Sequence, residues 1–129
     1  MERGECYVVL HGDEIAAFFT LSTLEEECYN HITDGKWTPD LPYCTLHRIA
    51  VAAAYRGGEM ANFVIDCVEE QTRKYGLRAI RVDTHKKNKA MQNLLRDRGF
   101  RYRGNVIVES EPGHDPNRQA LEKILKDKR

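Results

Sequence analysis

Apolar positions change their spacing near the middle of the chain. The run from Leu46 to Ala52 is mostly apolar and contains β-branched residues, which predicts a strand covered on both faces. Residues 55–58 interrupt the run, and apolar residues then recur about every 3.6 positions from Met60, which predicts a helix. A glycine turn that opens a helix directs backbone N–H groups at a phosphate or pyrophosphate. The same turn could also join a core strand to a core helix and bind nothing.

The remaining spacing predicts alternating strands and helices. The expected elements are a hairpin over 6–11 and 15–21, a helix over 58–75, a strand over 78–84, a second helix from the basic turn 86–89 to Gly99, and a strand over 100–108. Because a helix connects them, the strand before the glycine turn and the strand over 78–84 are expected to be parallel. The last apolar run, 120–125, is open. Its composition favours a helix, and antiparallel pairing with the preceding strand would also bury it.

A long polar loop over 22–42 follows the first hairpin. Its start, 23–27, predicts a helical turn capped by a preceding serine or threonine. Two large aromatic residues, Trp37 and Tyr43, lie in or beside the loop. They either line a binding groove or cover the edge of the core.

Composition limits the class of protein. A chain of 129 residues with 41% hydrophobic residues predicts a single domain over 1–129. The formal net charge is zero, so neither nucleic acid nor a membrane surface is an expected partner. The four cysteines contain no C-x-x-C pair, which argues against a zinc site and indicates a reducing, cytoplasmic setting. No apolar stretch is long enough for a secretion signal or a membrane span.

Three segments of the chain carry a resemblance to a known family: LHRIAVAAAYRGGEMA, VDTHKKNKAMQNLLRDRGFRY and QALEKIL. Together they resemble the GNAT family of acyl-coenzyme A N-acyltransferases, over nearly the whole chain. The resemblance implies an α/β (α+β) fold, with a mixed central sheet, a parallel strand–helix–strand unit, flanking helices and a C-terminal antiparallel hairpin. It also implies an enzyme that moves acetyl from acetyl-CoA to a primary amine by direct attack in a ternary complex. The alternative is a non-catalytic or degenerate GNAT-like module for CoA binding or assembly.

The resemblance also assigns residues to the coenzyme. The turn whose backbone amides hold the pyrophosphate corresponds to Arg56, Gly57, Gly58, Glu59, Met60 and Ala61. Glu59 replaces a family glycine and brings a carboxylate near that pyrophosphate, where like charges repel. The strand backbone that pairs with the pantetheine arm corresponds to Ile49, Ala50 and Val51, and the start of the next helix contributes Asn88 and Met91. No metal is expected.

Candidate catalytic residues lie on the central strand. A period of two places Thr45, His47, Ile49 and Val51 on one face. His47 corresponds to a position where some GNAT members carry a histidine that faces the acceptor, and an ordinary pKa of about 6.5 suits a general base. It could equally fill the sheet surface. Cys44 lies off this face, so a covalent acyl-enzyme is not expected.

Further candidates lie after the central strand. His85 ends the neighbouring strand and could face the same cleft, and Asp83 is a weaker candidate base. Glu109 could bind a cationic acceptor or simply be a solvated surface residue. Leu95 stands where the family often has a tyrosine that protonates the departing thiolate, so water or Tyr102 would have to supply this proton.

The front of the chain differs from the family pattern. GNAT domains usually begin with a strand and two helices before the hairpin, whereas this chain begins just before the hairpin and is therefore expected to be N-terminally short. An uncovered strand edge favours pairing with a second molecule, so self-association is expected. The acceptor is expected to be a small-molecule or peptide amine.

Overall fold

The computed structural model describes residues 4–108, 112–113 and 115–126. These residues form six strands, two α-helices and two short 3-10 helices. In chain order they are β1 (Glu5–His11), β2 (Glu14–Ser22), a 3-10 helix (Glu27–His31), β3 (Tyr43–Val51), a 3-10 helix (Ala53–Tyr55), α1 (Met60–Lys74), β4 (Ala79–Thr84), α2 (Lys89–Asp97), β5 (Arg101–Ile107) and β6 (Asn117–Ile124).

All six strands join one mixed sheet with the order β1-β2-β3-β4-β6-β5. β3 and β4 are parallel and are connected by α1, as the strand–helix–strand prediction requires, and the other pairs are antiparallel. The open interpretation of residues 120–125 resolves to a strand. β6 lies between β4 and β5, so both of its edges are hydrogen-bonded, and Ala120 and Leu121 are buried on opposite faces. The predicted fold class is confirmed.

Both helices cover the same face of the sheet. The apolar stripe of α1 buries Val64, Ile65 and Val68, and Leu95 of α2 is completely buried in the same cluster. α1 ends where the sequence predicted, because Gly76 adopts a φ of 78° and its N–H donates to the carbonyl of Arg73. We call this side of the sheet the helix side.

The loop between β2 and β3 covers the opposite face, which we call the loop side. Tyr29 and Trp37 are buried there, with ring centroids 5.0 Å apart. The guanidinium carbon of Arg81 lies 4.6 Å from the Trp37 ring centroid and 3.9 Å from that of Tyr43. Trp37 and Tyr43 therefore cover the core edge, which settles the choice left open by the sequence.

The helical turn of this loop starts later than predicted. It spans Glu27–His31, whereas the sequence predicted 23–27, and that prediction is wrong. The Ser22 hydroxyl accepts a hydrogen bond from the Leu24 N–H at 3.1 Å, which makes a local turn without starting a helix. The later turn brings the Tyr29 ring over the sheet, where its hydroxyl donates to Asp83 at 2.6 Å.

A buried carboxylate on β6 fastens the loop to the sheet. Glu122 Oε1 accepts hydrogen bonds from Thr38 N (3.2 Å), Thr38 Oγ1 (2.7 Å) and Arg103 Nε (2.8 Å). Glu122 Oε2 accepts one from Arg81 Nε at 3.1 Å. Both carboxylate oxygens are thus satisfied inside the protein, by charged and neutral donors together.

Candidate active site

β3 and β4 separate at their carboxyl ends. They pair from Tyr43 with Ala79 to Leu46 with Val82, and beyond that point β3 pairs only with β2 and β4 only with β6. A gap therefore opens between two parallel strands. Ile49, Ala50 and Val51 lie on the separated part of β3, so backbone groups on this edge are available to an extended ligand.

A bulge at His47 changes which residues of β3 share a face. Thr20 pairs with Arg48 and Leu21 with Leu46, so His47 is the extra residue on β3. Leu46 and Ile49 consequently both pack in the helix-side core. The prediction that Thr45, His47, Ile49 and Val51 share one face is therefore wrong, because the bulge shifts the alternation by one residue.

His47 lies beside an acidic residue of the loop. Its Nε2 is 3.5 Å from Oε2 of Glu26, although no described residue gives this nitrogen a hydrogen bond. Glu26 is only 7% exposed. Thr45 is completely buried, and its Oγ1 likewise has no hydrogen-bond partner among the described residues. Of these two candidates on β3, His47 therefore lies beside a charged side chain and Thr45 does not.

Asp83 and Tyr29 extend this charged cluster. Burial raises the pKa of Asp83, while the hydrogen bond from Tyr29 and the charges of Arg118 and His47 lower it, and Glu26 raises it further. Burial raises the pKa of Tyr29 well above its ordinary value, and Asp83 adds to this rise. At neutral pH Tyr29 is consequently a hydrogen-bond donor and not a base.

Sequence reasoning missed Glu26 and Tyr29. Glu26 is the middle residue of three consecutive glutamates, a pattern typical of a solvated surface, and only the tertiary position of the loop buries it. No local signal distinguishes Tyr29 from other tyrosines in polar loops. Asp83 was a weaker candidate. Its carboxylate accepts the hydrogen bond from Tyr29, and the charge of Glu26 contributes to raising its pKa.

The turn from β3 to α1 presents an open helix start. Gly57 adopts a φ of 79°, which favours glycine, and a Cβ atom added at Gly57 or Gly58 would meet nothing within 4 Å. Glu59 is the exposed N-cap of α1 and makes no side-chain cap hydrogen bond. The first turn, which includes Met60 and Ala61, contains no acidic residue. The first amides of α1 are thus not capped by the residue that precedes them.

Arg56, the first residue of this turn, contacts the separated part of β3. Its Nε donates a hydrogen bond to the carbonyl oxygen of Val51 at 2.9 Å. No hydrogen bond among the described residues uses its two terminal nitrogens, and the side chain is exposed. The guanidinium can therefore hold the turn and still offer N–H groups to an anion.

The start of α2 is held together by its own polar residues. Asn88 Oδ1 accepts a hydrogen bond from Met91 N at 3.1 Å, which caps the helix. His85 Nδ1 accepts one from Lys87 N at 3.1 Å, and its Nε2 lies 3.4 Å from Asp115 Oδ2. Met91 is half-buried against the helix-side core. His85 and Asn88 therefore already have partners within their own turns.

A groove of about 920 Å³ lies on the loop side, between the loop, the paired strands β5 and β6, and the turn after β4. The residues of its wall that bear on the chemistry are Glu26, Glu27, Lys86, Tyr102, Asn105 and Arg118. Tyr102 is exposed and donates a hydrogen bond to Asn105 Oδ1 at 2.9 Å. Both signs of charge thus face a space large enough for a small molecule or a peptide end. Glu109 and Glu111 lie outside the described residues.

Two other candidate chemistries receive no support from the described residues. Cys44 is completely buried, and burial raises its pKa, which disfavours a thiolate nucleophile. The described residues contain no group of three His, Cys, Asp or Glu side chains that could hold a metal ion. Among the helices that the structure describes, none is long and apolar enough to cross a membrane.

The separated parallel strands and the open helix start define an acetyltransferase fold, and the comparisons agree. The chain matches the acetyltransferase (GNAT) family over residues 1–100 and belongs to that family. It is similar to a GNAT acetyltransferase from Streptococcus agalactiae, with 31% sequence identity and a TM-score of 0.81. The match covers 95% of this chain and 66% of the Streptococcus chain. The chain thus spans slightly less than two thirds of the length of that relative.

Two other solved structures share the fold. One is a Bacillus subtilis acetyltransferase in complex with CoA, with 21% identity, a TM-score of 0.71, and coverage of 98% of this chain and 80% of that one. The other is an Elizabethkingia anophelis GNAT acetyltransferase with acetyl-CoA bound, with 16% identity, a TM-score of 0.71, and coverage of 95% and 77%. A comparison with curated proteins gives no match.

Proposed function

We propose that the chain is an acetyl-CoA-dependent N-acetyltransferase that moves an acetyl group to a primary amine. The observation that carries the proposal is the separation of β3 from β4 immediately before the turn 56–61. An extended acyl carrier can pair with the free edge of β3, and its pyrophosphate can then reach the open start of α1. The CoA and acetyl-CoA bound to the two structurally similar acetyltransferases support this choice of acyl donor.

The turn residues fit the proposed donor. The empty space beside Gly57 and Gly58 admits a bulky anion against the backbone, and the terminal nitrogens of Arg56 add a positive charge. Ile49, Ala50 and Val51 would provide backbone partners for the pantetheine arm. Glu59 is exposed, so its carboxylate can turn toward solvent, where repulsion from a pyrophosphate is weak. Asn88 and Met91 would border the arm from α2.

His47 is the proposed general base. The incoming ammonium must lose one proton before its nitrogen attacks the thioester carbon. The C–N bond then forms, the C–S bond breaks, and the nitrogen loses a second proton, which the departing CoA thiolate can accept. His47 lies at the β3 bulge, beside the gap, and its Nε2 can take this proton directly or through water. The carboxylate of Glu26, 3.5 Å away, would stabilise the resulting imidazolium. Thr45 and His85 remain lesser candidates, since one is fully buried and the other contacts Asp115.

The groove is the proposed acceptor site. It is bordered by Glu26, which also contacts His47, so an amine bound there would lie close to the proposed base. Tyr102 in the groove wall can donate a proton, and water can replace it because a CoA thiolate is a weak base. All four cysteines are free thiols, which supports a reducing cytoplasmic setting for the reaction.

A non-catalytic coenzyme-binding module is the second candidate. The observation that favours it is the position of Leu95, which is completely buried in the core, so this part of α2 presents no hydroxyl to a leaving thiolate. Such a module would bind acetyl-CoA through the same turn and would transfer nothing. Binding and turnover must therefore be measured separately.

Calorimetric titration with acetyl-CoA tests the donor site. We expect a micromolar dissociation constant, which corresponds to a binding free energy of about −8 kcal/mol. Gly58→Glu adds a carboxylate to open space at the turn and should weaken binding by about tenfold, while Glu59→Gln removes one and should tighten it by about twofold to fivefold. The matched controls are Asn93→Glu and Glu70→Gln, both at exposed helix positions, which should change nothing. No binding at millimolar acetyl-CoA would refute the proposal.

An acetylation assay with a panel of amines then distinguishes an enzyme from a non-catalytic module. The release of the CoA thiol measures turnover. We expect turnover with at least one primary amine and its loss in His47→Gln with acetyl-CoA binding retained. Tight binding without thiol release for any amine in the panel would favour the non-catalytic module.

A further inference from the structure

The groove wall carries opposite charges on different elements. The three acidic residues all come from the loop between β2 and β3: Glu26, Glu27 and Asp34. The lysine and the arginine come from the turn after β4 and from β6: Lys86 and Arg118. A purely cationic acceptor would be repelled by Lys86 and Arg118, and a purely anionic acceptor by the acidic residues. The wall therefore favours an acceptor that carries both charges.

Arg118 has a carboxylate-binding edge that the described residues leave unused. Its Nη1 donates to the carbonyl oxygens of Asp115 and Asn117, the latter at 3.0 Å, which holds the guanidinium at the start of β6. No hydrogen bond or ion pair among the described residues uses its Nε or Nη2. These two nitrogens present parallel N–H bonds, the arrangement in which a guanidinium binds both oxygens of a carboxylate.

The Asp115 carboxylate faces partners other than Arg118. Its Oδ1 accepts hydrogen bonds from Asn117 N at 3.0 Å and from Asn117 Nδ2 at 2.8 Å, and its Oδ2 lies 3.4 Å from His85 Nε2. The hydrogen bonds from Asn117 lower the pKa of Asp115, so this carboxylate is ionised and held in its own turn. Arg118 contacts Asp115 only through the backbone carbonyl, and its charge therefore has no carboxylate partner in the described part of the chain.

Arg118 lies near the proposed base. On β6 it comes two residues before Ala120, which pairs with Asp83 of β4 and is buried on the loop side. Arg118 and Asp83 are thus diagonal neighbours on that side, with Cβ atoms about 7–8 Å apart. The charges of Arg118 and His47 both lower the pKa of Asp83, which agrees with this placement. An acceptor bound at Arg118 consequently has its other end near His47.

We propose that the acceptor is a small zwitterion of the amino-acid type, with its carboxylate on Arg118 and its primary amine beside Glu26 and His47. This inference rests on the function proposed above and narrows its acceptor. Lys86 adds positive charge to the wall that receives the carboxylate. The nitrogen is acetylated as described, and the carboxylate stays unchanged. The product has lost its positive charge, so the acidic residues of the wall repel it, which favours release.

A panel of matched amines tests the need for a carboxylate. It contains leucine, phenylalanine, glutamate and lysine, each with its α-carboxamide and its decarboxylated amine, and thiol release gives kcat/KM. We expect at least one amino acid to exceed both of its analogues by about tenfold to hundredfold, because each analogue loses a hydrogen-bonded ion pair. Analogues that equal their amino acid in every set would overturn the proposal.

Variants of Arg118 test whether this residue holds the carboxylate. In Arg118→Gln we expect kcat/KM for the preferred amino acid to fall by about tenfold to hundredfold, chiefly through KM, and the value for its decarboxylated amine to change little. Arg118→Lys keeps the charge without the parallel N–H bonds and should recover only part of the loss. The control, Arg101→Gln, removes an exposed arginine outside the groove wall and should keep the parent selectivity. Equal losses for the amino acid and its amine in Arg118→Gln would overturn the proposal.

Calorimetric titration of the CoA-saturated protein with the same compounds separates this inference from the proposed function, because binding needs no turnover. The parent protein should bind at least one of the four amino acids, and Arg118→Gln should not. That result without thiol release would refute the acetyltransferase and keep the carboxylate site. Thiol release without a preference for a carboxylate, or no binding of any of the four amino acids, would refute the carboxylate site alone. Circular dichroism and acetyl-CoA binding establish that each variant folds.

Discussion

Arg81 and Glu122 form a buried ion pair that joins β4 to β6 on the loop side of the sheet. Their Nε–Oε2 distance is 3.1 Å, the Glu122 side chain is completely buried, and Arg103 and Thr38 bond the other carboxylate oxygen. Removing one member of such a pair leaves the other as an uncompensated buried charge. The pair therefore connects the stability of the protein to the position of the loop that borders the groove.

We expect Glu122→Ala to lower the free energy of unfolding by about 3–5 kcal/mol. Glu69→Ala is the matched control. Like Glu122, Glu69 pairs with two cationic side chains, in this case a lysine and an arginine, but it is partly exposed. Its loss should lower the free energy of unfolding by less than about 1 kcal/mol. Urea denaturation of both variants measures the difference. Equal losses would show that the buried network contributes no more than a surface ion pair.

The Glu26–His47 contact predicts an effect on turnover. The Glu26 carboxylate lies 3.5 Å from His47 Nε2, where it would stabilise the imidazolium that forms when His47 takes the proton, so Glu26→Gln should lower kcat by about tenfold while acetyl-CoA binding is retained. Glu25→Gln, at an exposed neighbouring position outside the groove wall, should leave kcat unchanged. Thiol release under saturating acetyl-CoA measures the difference. Equal kcat values for the parent protein and Glu26→Gln would mean that this carboxylate does not assist the base.

Leu95→Tyr should not restore a family-like general acid. The Leu95 side chain is completely buried, so a larger ring with a hydroxyl would overpack the core and lower stability by about 1–3 kcal/mol. Leu95→Met conserves the volume and should cost less than about 1.5 kcal/mol. Thermal unfolding compares the two variants, and thiol release measures activity. A stable and faster Leu95→Tyr enzyme would contradict this interpretation.

Asp83 predicts a pH dependence of stability. Burial raises its folded-state pKa above the ordinary 3.8, so the folded protein holds this proton more tightly than the unfolded chain. The contribution of Asp83 is therefore most favourable below pH 3.8 and declines as the pH rises through the folded-state pKa. Asp83→Asn removes this dependence, so it should gain stability relative to the parent protein as the pH rises above 3.8.

Urea titrations at several pH values measure the Asp83 effect. Asp97→Asn, on the exposed surface of α2, is the control and should run parallel to the parent protein. A stability difference between parent and Asp83→Asn that does not change with pH would show that the Asp83 pKa is the same in the folded and unfolded states.

The fold could be predicted from the sequence because its signals are local. The 3.6-residue spacing of apolar positions predicted both helices, and Gly76 and Gly99 predicted where they end. The turn 56–61 also lies where the pattern predicted it. The face of His47 could not be predicted, because a bulge depends on the register with β2, which the spacing within β3 does not contain. The burial of Glu26 was equally hidden, since it depends on a loop that is held through Thr38 by Glu122, 84 positions further along the chain.

The hydrogen bonds from Thr38 to Glu122 imply that the loop over 22–42 takes its final position only after β6 has joined the sheet. Residues 22–42 are synthesised early, but the carboxylate that fastens them belongs to the last strand, 84 positions further along the chain. That strand must first insert between β4 and β5. During synthesis the groove wall that carries Glu26 therefore has to wait for β6, so a nascent chain released before β6 is complete would contain the turn 56–61 without a formed groove.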